Sequence, residues 1–135
     1  MNYWLVKQEP KAFSFDDLLR AGKTDWTGVR NFQARNNLQA MRIGDKVLFY
    51  YSVSEKSVVG VAEISREAFG DATDETNKWV AVEIKPIQKL TKPVALDQIK
   101  AEPKLAEIAL IRQSRLSVMP VTETEFQIIL SLANN

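Results

Sequence analysis

The stretch Trp26–Asn37, reading WTGVRNFQARNN, gathers two arginines, three asparagines, a glutamine, a tryptophan and a phenylalanine without one carboxylate. No acid occurs from Thr27 to Gly44, although the whole chain balances 18 Lys and Arg against 17 Asp and Glu. Planar amides and guanidinium groups read hydrogen-bonding edges, and aromatic rings offer faces to a flat ligand. This is chemistry for recognition more than for breaking bonds. A second acid-free stretch, Ile108–Thr122 (IALIRQSRLSVMPVT), repeats the theme of arginine, amide and hydroxyl. We expect the two stretches to meet at one pocket.

Each candidate residue also has a plainer reading. Trp26 lies beside Gly28 in an irregular segment, where its ring either stacks on a base, worth about 1–3 kcal/mol, or plugs the edge of the core. The neighbouring Arg30, Asn31, Gln33, Arg35 and Asn36 favour the ligand. If the segment is helical, Asn31 shares a face with Arg35, and Gln33 with Asn36. Arg112, Gln113, Ser114 and Arg115 offer cations and hydrogen-bonding groups at a helix end; the alternative is a solvated loop whose arginines pair with acids elsewhere. Lys7 and Glu9 flank Gln8, and a surface ion pair is favoured there over a catalytic lysine–carboxylate pair. Gly60, within a strand, marks either a close backbone approach or a bulge.

Composition narrows the choices. The chain has 135 residues, enough for one compact domain with one core, and its 45% hydrophobic content is ordinary for a globular protein. Cysteine and histidine are both absent, which removes disulfides, thiolate nucleophiles, the usual zinc sites and the commonest general base near neutral pH. No metal or cofactor is expected, since no regular Asp/Glu spacing suggests a cation site. No apolar run is long enough to span a bilayer, and the first residues lack a signal-like layout, so a cytoplasmic protein is expected. Brevity and the lack of a basic tail favour a bacterial setting over a nuclear one. The net charge is +1, and the two acid-free stretches carry +5 between them, so the remainder carries −4. A small positive site on a mildly acidic body suits a local anionic ligand better than a long phosphate track.

The elements that must position these residues are legible in outline. Tyr3–Lys7 reads as a strand, and Ser14 caps a short helix closed by Gly22. Asn31 caps a second helix running to Gln39 or Ala40. After a turn at Ile43–Asp45, strands follow at Lys46–Ser52, Val58–Arg66 and Trp79–Leu90, with a polar loop at Gly70–Asn77. Val80, Val82 and Ile84 line one strand face, Tyr50 and Tyr51 point to opposite faces, and Pro86 suits a bulge or an edge. Leu96–Lys100 is a helical turn, Pro103 begins a helix to about Leu110, Leu116–Val121 is extended, and Thr122 with Glu125 forms a capping box for a final helix. The result is an α+β chain with a curved or barrel-like mixed sheet.

Five blocks carry a resemblance: YWLVKQEP, WTGVRNFQARNN, RIGDKVLFYYS, VVGVAEI and RQSRLSVMPVT. In that order, over essentially the whole chain (1–135), they resemble an EVE-domain protein of the small stand-alone type. The resemblance implies a PUA-like mixed β pseudobarrel with short peripheral helices, related to YTH and ASCH domains. It also implies a partner: nucleic acid, DNA or RNA, single-stranded or flipped, carrying a modified base, notably a modified cytosine. Carried over, the family's motifs place Trp26, Arg30 and Asn31, and Arg112, Gln113, Ser114 and Arg115, near a pocket for one extruded base. The expected role is a reader with no catalytic residue, acting as a monomer at the barrel rim. Two alternatives stay open: a hydrolase or modification-removing enzyme using Lys7 or Glu9, and a protein-interaction module. The chain departs from the family's pattern at Gln8, Thr27 and Tyr51, where Ser, Asp and His are frequent.

Overall fold

The computed structural model describes residues 1–134. Six strands form one mixed sheet: β1 (Tyr3–Gln8), β2 (Thr24–Trp26), β3 (Lys46–Tyr51), β4 (Ser57–Gly70), β5 (Val80–Ala95) and β6 (Val118–Val121). Their spatial order is β2-β5-β4-β3-β1-β6. β1 and β3 run parallel, and the other neighbours run antiparallel. Five short helices surround the sheet: α1 (Phe15–Ala21), α2 (Phe32–Ala40), α3 (Leu96–Ala101), α4 (Ala109–Arg112) and α5 (Glu123–Ala133). This is the α+β, PUA-like architecture implied by the sequence blocks.

Local chemistry explains most boundaries. Ser14 accepts from Asp17 N–H while the Asp17 carboxylate accepts from Ser14 N–H, and Gly22 closes α1 at φ +80°. Thr122 and Glu125 make the same reciprocal box at the start of α5. The long strands β4 and β5 pair with four register shifts, which bend and coil the sheet. One shift lies beside Gly60, whose added Cβ would stand 2.4 Å from a ring carbon of Phe15. Gly60 is therefore both a close approach and a neighbour of a bulge. Pro86, opposite Ala62 and beyond the stretch covered by β2, stands where its missing N–H costs no ladder bond to β2.

Buried residues from both faces of the sheet and from the helices make the core, among them Leu5, Val47, Ile64, Ile84 and Ile129, all at most 1% exposed. Asp45 is the polar anchor inside it, accepting from Trp4 Nε1 at 3.0 Å and from the backbone N–H groups of Asn2 and Arg42. Tyr50 is buried, while Tyr51 is half-buried and accepts at its hydroxyl from Phe15 N–H.

Three boundaries differ from the sequence reading. Residues 24–26, read as irregular, form β2 against β5. β4 runs on to Gly70 and β5 to Ala95, at opposite ends of their shared ladder: Gly70 pairs with Val80, and Ala95 with Ser57. The helix expected from Pro103 divides into a 3-10 turn, Pro103–Leu105, and the separate helix α4.

Candidate nucleic-acid interface

The two acid-free segments come together at the end of the sheet where β1 leaves the core. An open cleft of about 360 Å³ is lined by Asn31, Gln33, Gln113, Ser114, Arg115 and Leu116. Asn31 is the N-cap of α2, and its Oδ1 accepts from Ala34 N–H at 2.9 Å. That bond fixes the side chain and leaves its amide NH₂ for a ligand. Gln33 follows in the first helical turn. On the opposite wall α4 ends at Gln113, whose carbonyl accepts from Leu116 N–H at 3.0 Å. Leu116 is buried beneath the loop, which leaves Gln113, Ser114 and Arg115 exposed.

Strand β1 pins this loop. Lys7 N–H donates to the Ser117 carbonyl at 3.0 Å, and Lys7 Nζ donates to the Ser114 carbonyl at 2.7 Å. Desolvation by burial lowers the Lys7 pKa. Lys7 forms no ion pair with Glu9 among the described residues, so neither the surface pair nor the catalytic pair read from the sequence is present. Asn37 Nδ2 donates to the Val118 carbonyl at 2.7 Å and thereby ties α2 to β6. The two walls of the cleft are thus held in one register.

The arginines divide between structure and solvent. Arg30 Nη1 donates to Asp71 Oδ2 at 3.0 Å, and Arg30 Nη2 donates to Thr73 Oγ1 at 3.0 Å. The same carboxylate accepts from Gly28 N–H at 2.8 Å, and from the Thr73 N–H and hydroxyl at 2.8 and 2.6 Å. Gly28 reaches this bond at φ +81°, a backbone state that favours glycine. Burial works to raise the Asp71 pKa, but the bonds from Thr73, Gly28 and Arg30 outweigh it and hold the carboxyl at about 2. Arg112 pairs with Glu107, its Nε donating at 3.0 Å, and both side chains are largely exposed. Arg115 has no charged or hydrogen-bonding partner among the described residues.

Trp26 lies apart from the cleft. Only 5% exposed, it packs edge-on against Phe49 with ring centroids 5.5 Å apart. It forms part of a separate hollow of about 190 Å³ with Gln8, Phe13, Thr24, Asp25 and Thr27. Of the seven predicted site residues, the structure brings Asn31, Gln113, Ser114 and Arg115 to one cleft. It places Trp26 in the core edge, Arg30 in the Asp71 clamp and Arg112 in the Glu107 pair.

An aromatic cluster beside the cleft escaped the sequence reading. Phe32, between Asn31 and Gln33, is 60% exposed and packs on Trp79 with centroids 4.9 Å apart. Arg35 stands over Phe32 at 4.9 Å and over Trp79 at 5.8 Å. The only available signal was the aromatic type of Phe32 within the amide-rich segment; Trp79 is distant in sequence. Among the described residues no group of three His, Cys, Asp or Glu side chains could hold a metal ion. No described helix is long and apolar enough to cross a membrane.

A coiled mixed sheet rimmed by short helices, with an amide and guanidinium cleft at its end, defines a PUA-like domain. More narrowly, this chain belongs to the EVE-domain family, whose model matches residues 2–132. A Rhodopseudomonas palustris protein of known structure is 46% identical, with a TM-score of 0.94 over 99% of this chain and 94% of that one. Human thymocyte nuclear protein 1, crystallised in complex with 5-methylcytosine-containing DNA, is 31% identical. Its TM-score is 0.93 over 100% of this chain and 99% of the human chain. The YTH domain of a Zygosaccharomyces rouxii protein, in complex with N6-methyladenosine RNA, has a TM-score of 0.62 at 18% identity and shares the fold.

Proposed function

We propose that this protein, acting as one EVE domain over residues 1–135, reads nucleic acid that carries a modified base, notably a modified cytosine. It holds one unpaired nucleotide at the cleft between α2 and the Gln113–Leu116 loop. The observation that carries this reading is the convergence of two acid-free segments on one open cleft walled by amides and a free guanidinium. The human relative's complex with 5-methylcytosine-containing DNA supports the choice of ligand. In this reading Asn31, Gln33 and Gln113 address the polar edge of the base, Ser114 adds a hydroxyl, and Arg115 meets phosphate. Arg30 acts through the Asp71 clamp, which holds the approach to α2. Arg112 stands near the loop in its pair with Glu107.

A second reading of the base seat rests on the Trp26 hollow. Its volume of about 190 Å³, with an indole and Phe13 in its wall and Gln8, Asp25 and Thr27 around it, suits a single ring. In that case the base enters the hollow and the cleft takes the adjoining sugar and phosphate. Either way, extrusion from a duplex costs a few kcal/mol, so single-stranded or disrupted sites bind better. One methyl group adds only about 1–3 kcal/mol of discrimination.

Affinity for paired oligonucleotides, with and without 5-methylcytosine, tests both. The Gln33→Ala/Gln113→Ala variant loses discrimination if the cleft reads the base. Thr27→Trp, which fills the hollow, abolishes it if the hollow does. A wild-type protein that binds the modified and unmodified strands equally, or neither, overturns the reader. The same reading is one of binding without turnover: Lys7 is engaged with Ser114, and Glu9→Gln leaves both affinity and the integrity of the bound nucleotide unchanged. Monomeric behaviour and a cytoplasmic, bacterial setting complete the proposal; sedimentation of the purified chain and fractionation of tagged cells check them.

A further inference from the structure

Beyond Ser114 lies a second concavity that the amide cleft does not explain. It measures about 290 Å³, and its walls include Lys7, Lys56, Lys100, Tyr50, Val53 and Ser114. Its three ammonium groups come from separate elements: Lys7 from β1, Lys56 from the turn before β4, and Lys100 from α3. No carboxylate is among its lining residues. Neither Lys56 nor Lys100 has a side-chain partner among the described residues. Lys7, half-buried 5.9 Å over the Tyr50 ring, has only the neutral Ser114 carbonyl as acceptor. A concavity lined by one sign of charge focuses the field and concentrates anions.

The mouth has a strained feature. Val53 adopts φ +67°, rare for a β-branched residue, while remaining 71% exposed. The Ser54 N–H donates to the Ser52 carbonyl at 2.7 Å, closing a γ-turn around Val53. The turn holds an apolar side chain outward beside three cations. Leu96 and Leu110 add apolar wall further in. This combination suits a charged group carried on an apolar-faced body, as a phosphodiester is carried between sugars.

We infer that the three-lysine cavity takes a backbone phosphate of the nucleic acid, one step along the strand from the nucleotide held at the amide cleft. The inference rests on the reader reading above, because Ser114 lines both concavities and a strand bound at one would pass directly to the other. Lysines suit this role: they act as point charges that tolerate many phosphate orientations and carry no sequence information. Burial lowers the Lys7 pKa, and an arriving phosphate would supply the negative charge that this ammonium lacks.

The test compares the wild type with Lys56→Gln/Lys100→Gln, both positions being exposed. Two probes are titrated: 5-methyl-2′-deoxycytidine, and a single-stranded oligonucleotide containing 5-methylcytosine, the latter over a range of salt. The nucleoside should bind both proteins equally. Oligonucleotide affinity should fall about tenfold at low salt, and the log–log salt slope should become shallower by about 0.7, as for one phosphate on a single strand. Lys56→Arg/Lys100→Arg should restore both. If the nucleoside binds and the glutamine variant matches the wild type in affinity and slope, the phosphate site is overturned while the reader stands. If neither probe binds the wild type, the reader fails and the phosphate site with it. An effect equal on nucleoside and oligonucleotide also overturns the site, because it places the lysines against the base.

Discussion

Arg30 and Arg115 stand in equally acid-free runs of sequence, yet the fold uses them in opposite ways. Arg30 is absorbed by Asp71, forty-one residues downstream, in a clamp that also engages Gly28, Thr73 and the Val29 carbonyl. Arg115 projects from the Gln113–Leu116 loop with no partner among the described residues. The difference teaches that an acid-free run fixes only local charge. Whether its cations remain available depends on what the sheet brings back from far along the chain. Here the polar loop after β4 returns Asp71 to the first segment, and among the described residues no carboxylate reaches Arg115.

Removing the buried member of the clamp should have the largest effect. Asp71→Ala leaves the Arg30 guanidinium, the Gly28 N–H and the Thr73 hydroxyl without their common acceptor. Breaking a buried pair costs about 3–5 kcal/mol; with Arg30 partly exposed, about 3 kcal/mol is expected in urea unfolding. A loss below about 1 kcal/mol would show that the clamp is ornamental and erase the contrast with Arg115. The clamp also has a pH signature. Its carboxyl is held at about 2 in the fold, below the ordinary range near 3.8, so its stabilisation is present above about pH 4. It is lost as the pH falls from about 4 towards 2, and amounts to about 2 kcal/mol at neutral pH. Asp45, also depressed because bonds from Trp4, Asn2 and Arg42 outweigh its burial, loses stabilisation in the same direction. Asp71→Asn should flatten part of the acid limb of the unfolding curve and leave the rest to Asp45 and the other carboxylates held low by hydrogen bonds, Asp74 and Glu63 among them.

The contrast also explains what could be read from the chain beforehand. Helix starts were legible because a cap is local: Ser14 with Asp17, Asn31 with Ala34, and Thr122 with Glu125 lie three residues apart. The amide wall was legible for the same reason, since Asn31 and Gln33 sit within the first turn of one helix. Strand β2 was not, because its three residues become a strand only against Val82–Ile84. The later halves of β4 and β5, with Arg66, Glu67, Lys89 and Lys92 exposed, carry the composition of a loop and become strand by pairing with each other's first halves. Trp26 was ambiguous in the sequence: its segment is ligand-like, its ring packs inward on Phe49, and it also borders a hollow of its own. The lysine cavity was invisible because Lys7, Lys56 and Lys100 share no pattern until β1, the turn before β4 and α3 converge.

A substitution at the free cation sharpens the comparison from the binding side. Arg115→Gln should leave the unfolding midpoint unchanged, because the side chain has no partner to lose. It should weaken a modified single-stranded oligonucleotide by about 1 kcal/mol and reduce the salt slope by about 0.7, the contribution of one neutralised phosphate on a single strand. Arg30→Gln should do the reverse, lowering the midpoint while leaving the slope near its wild-type value. If the two variants shift stability alike, the division between structural and available cations is wrong.

The smallest effect belongs to the Arg112–Glu107 pair, which resembles the Arg30 clamp on paper and differs from it in solvent exposure. Both partners are more than half exposed, and a hydrogen-bonded carboxylate raises the Arg112 pKa without burying it. Exposed pairs are screened and entropically costly to hold, so Glu107→Gln should leave the unfolding midpoint nearly unchanged. Freed from Glu107, Arg112 becomes a second unpaired cation at the end of α4, on the same loop as Arg115. Oligonucleotide affinity should therefore rise slightly, at low salt only, with no gain for the free nucleoside. A destabilisation comparable to that of Asp71→Ala would mean that exposure does not separate the two pairs, and the cause of their difference would have to be sought in Thr73 and Gly28 alone.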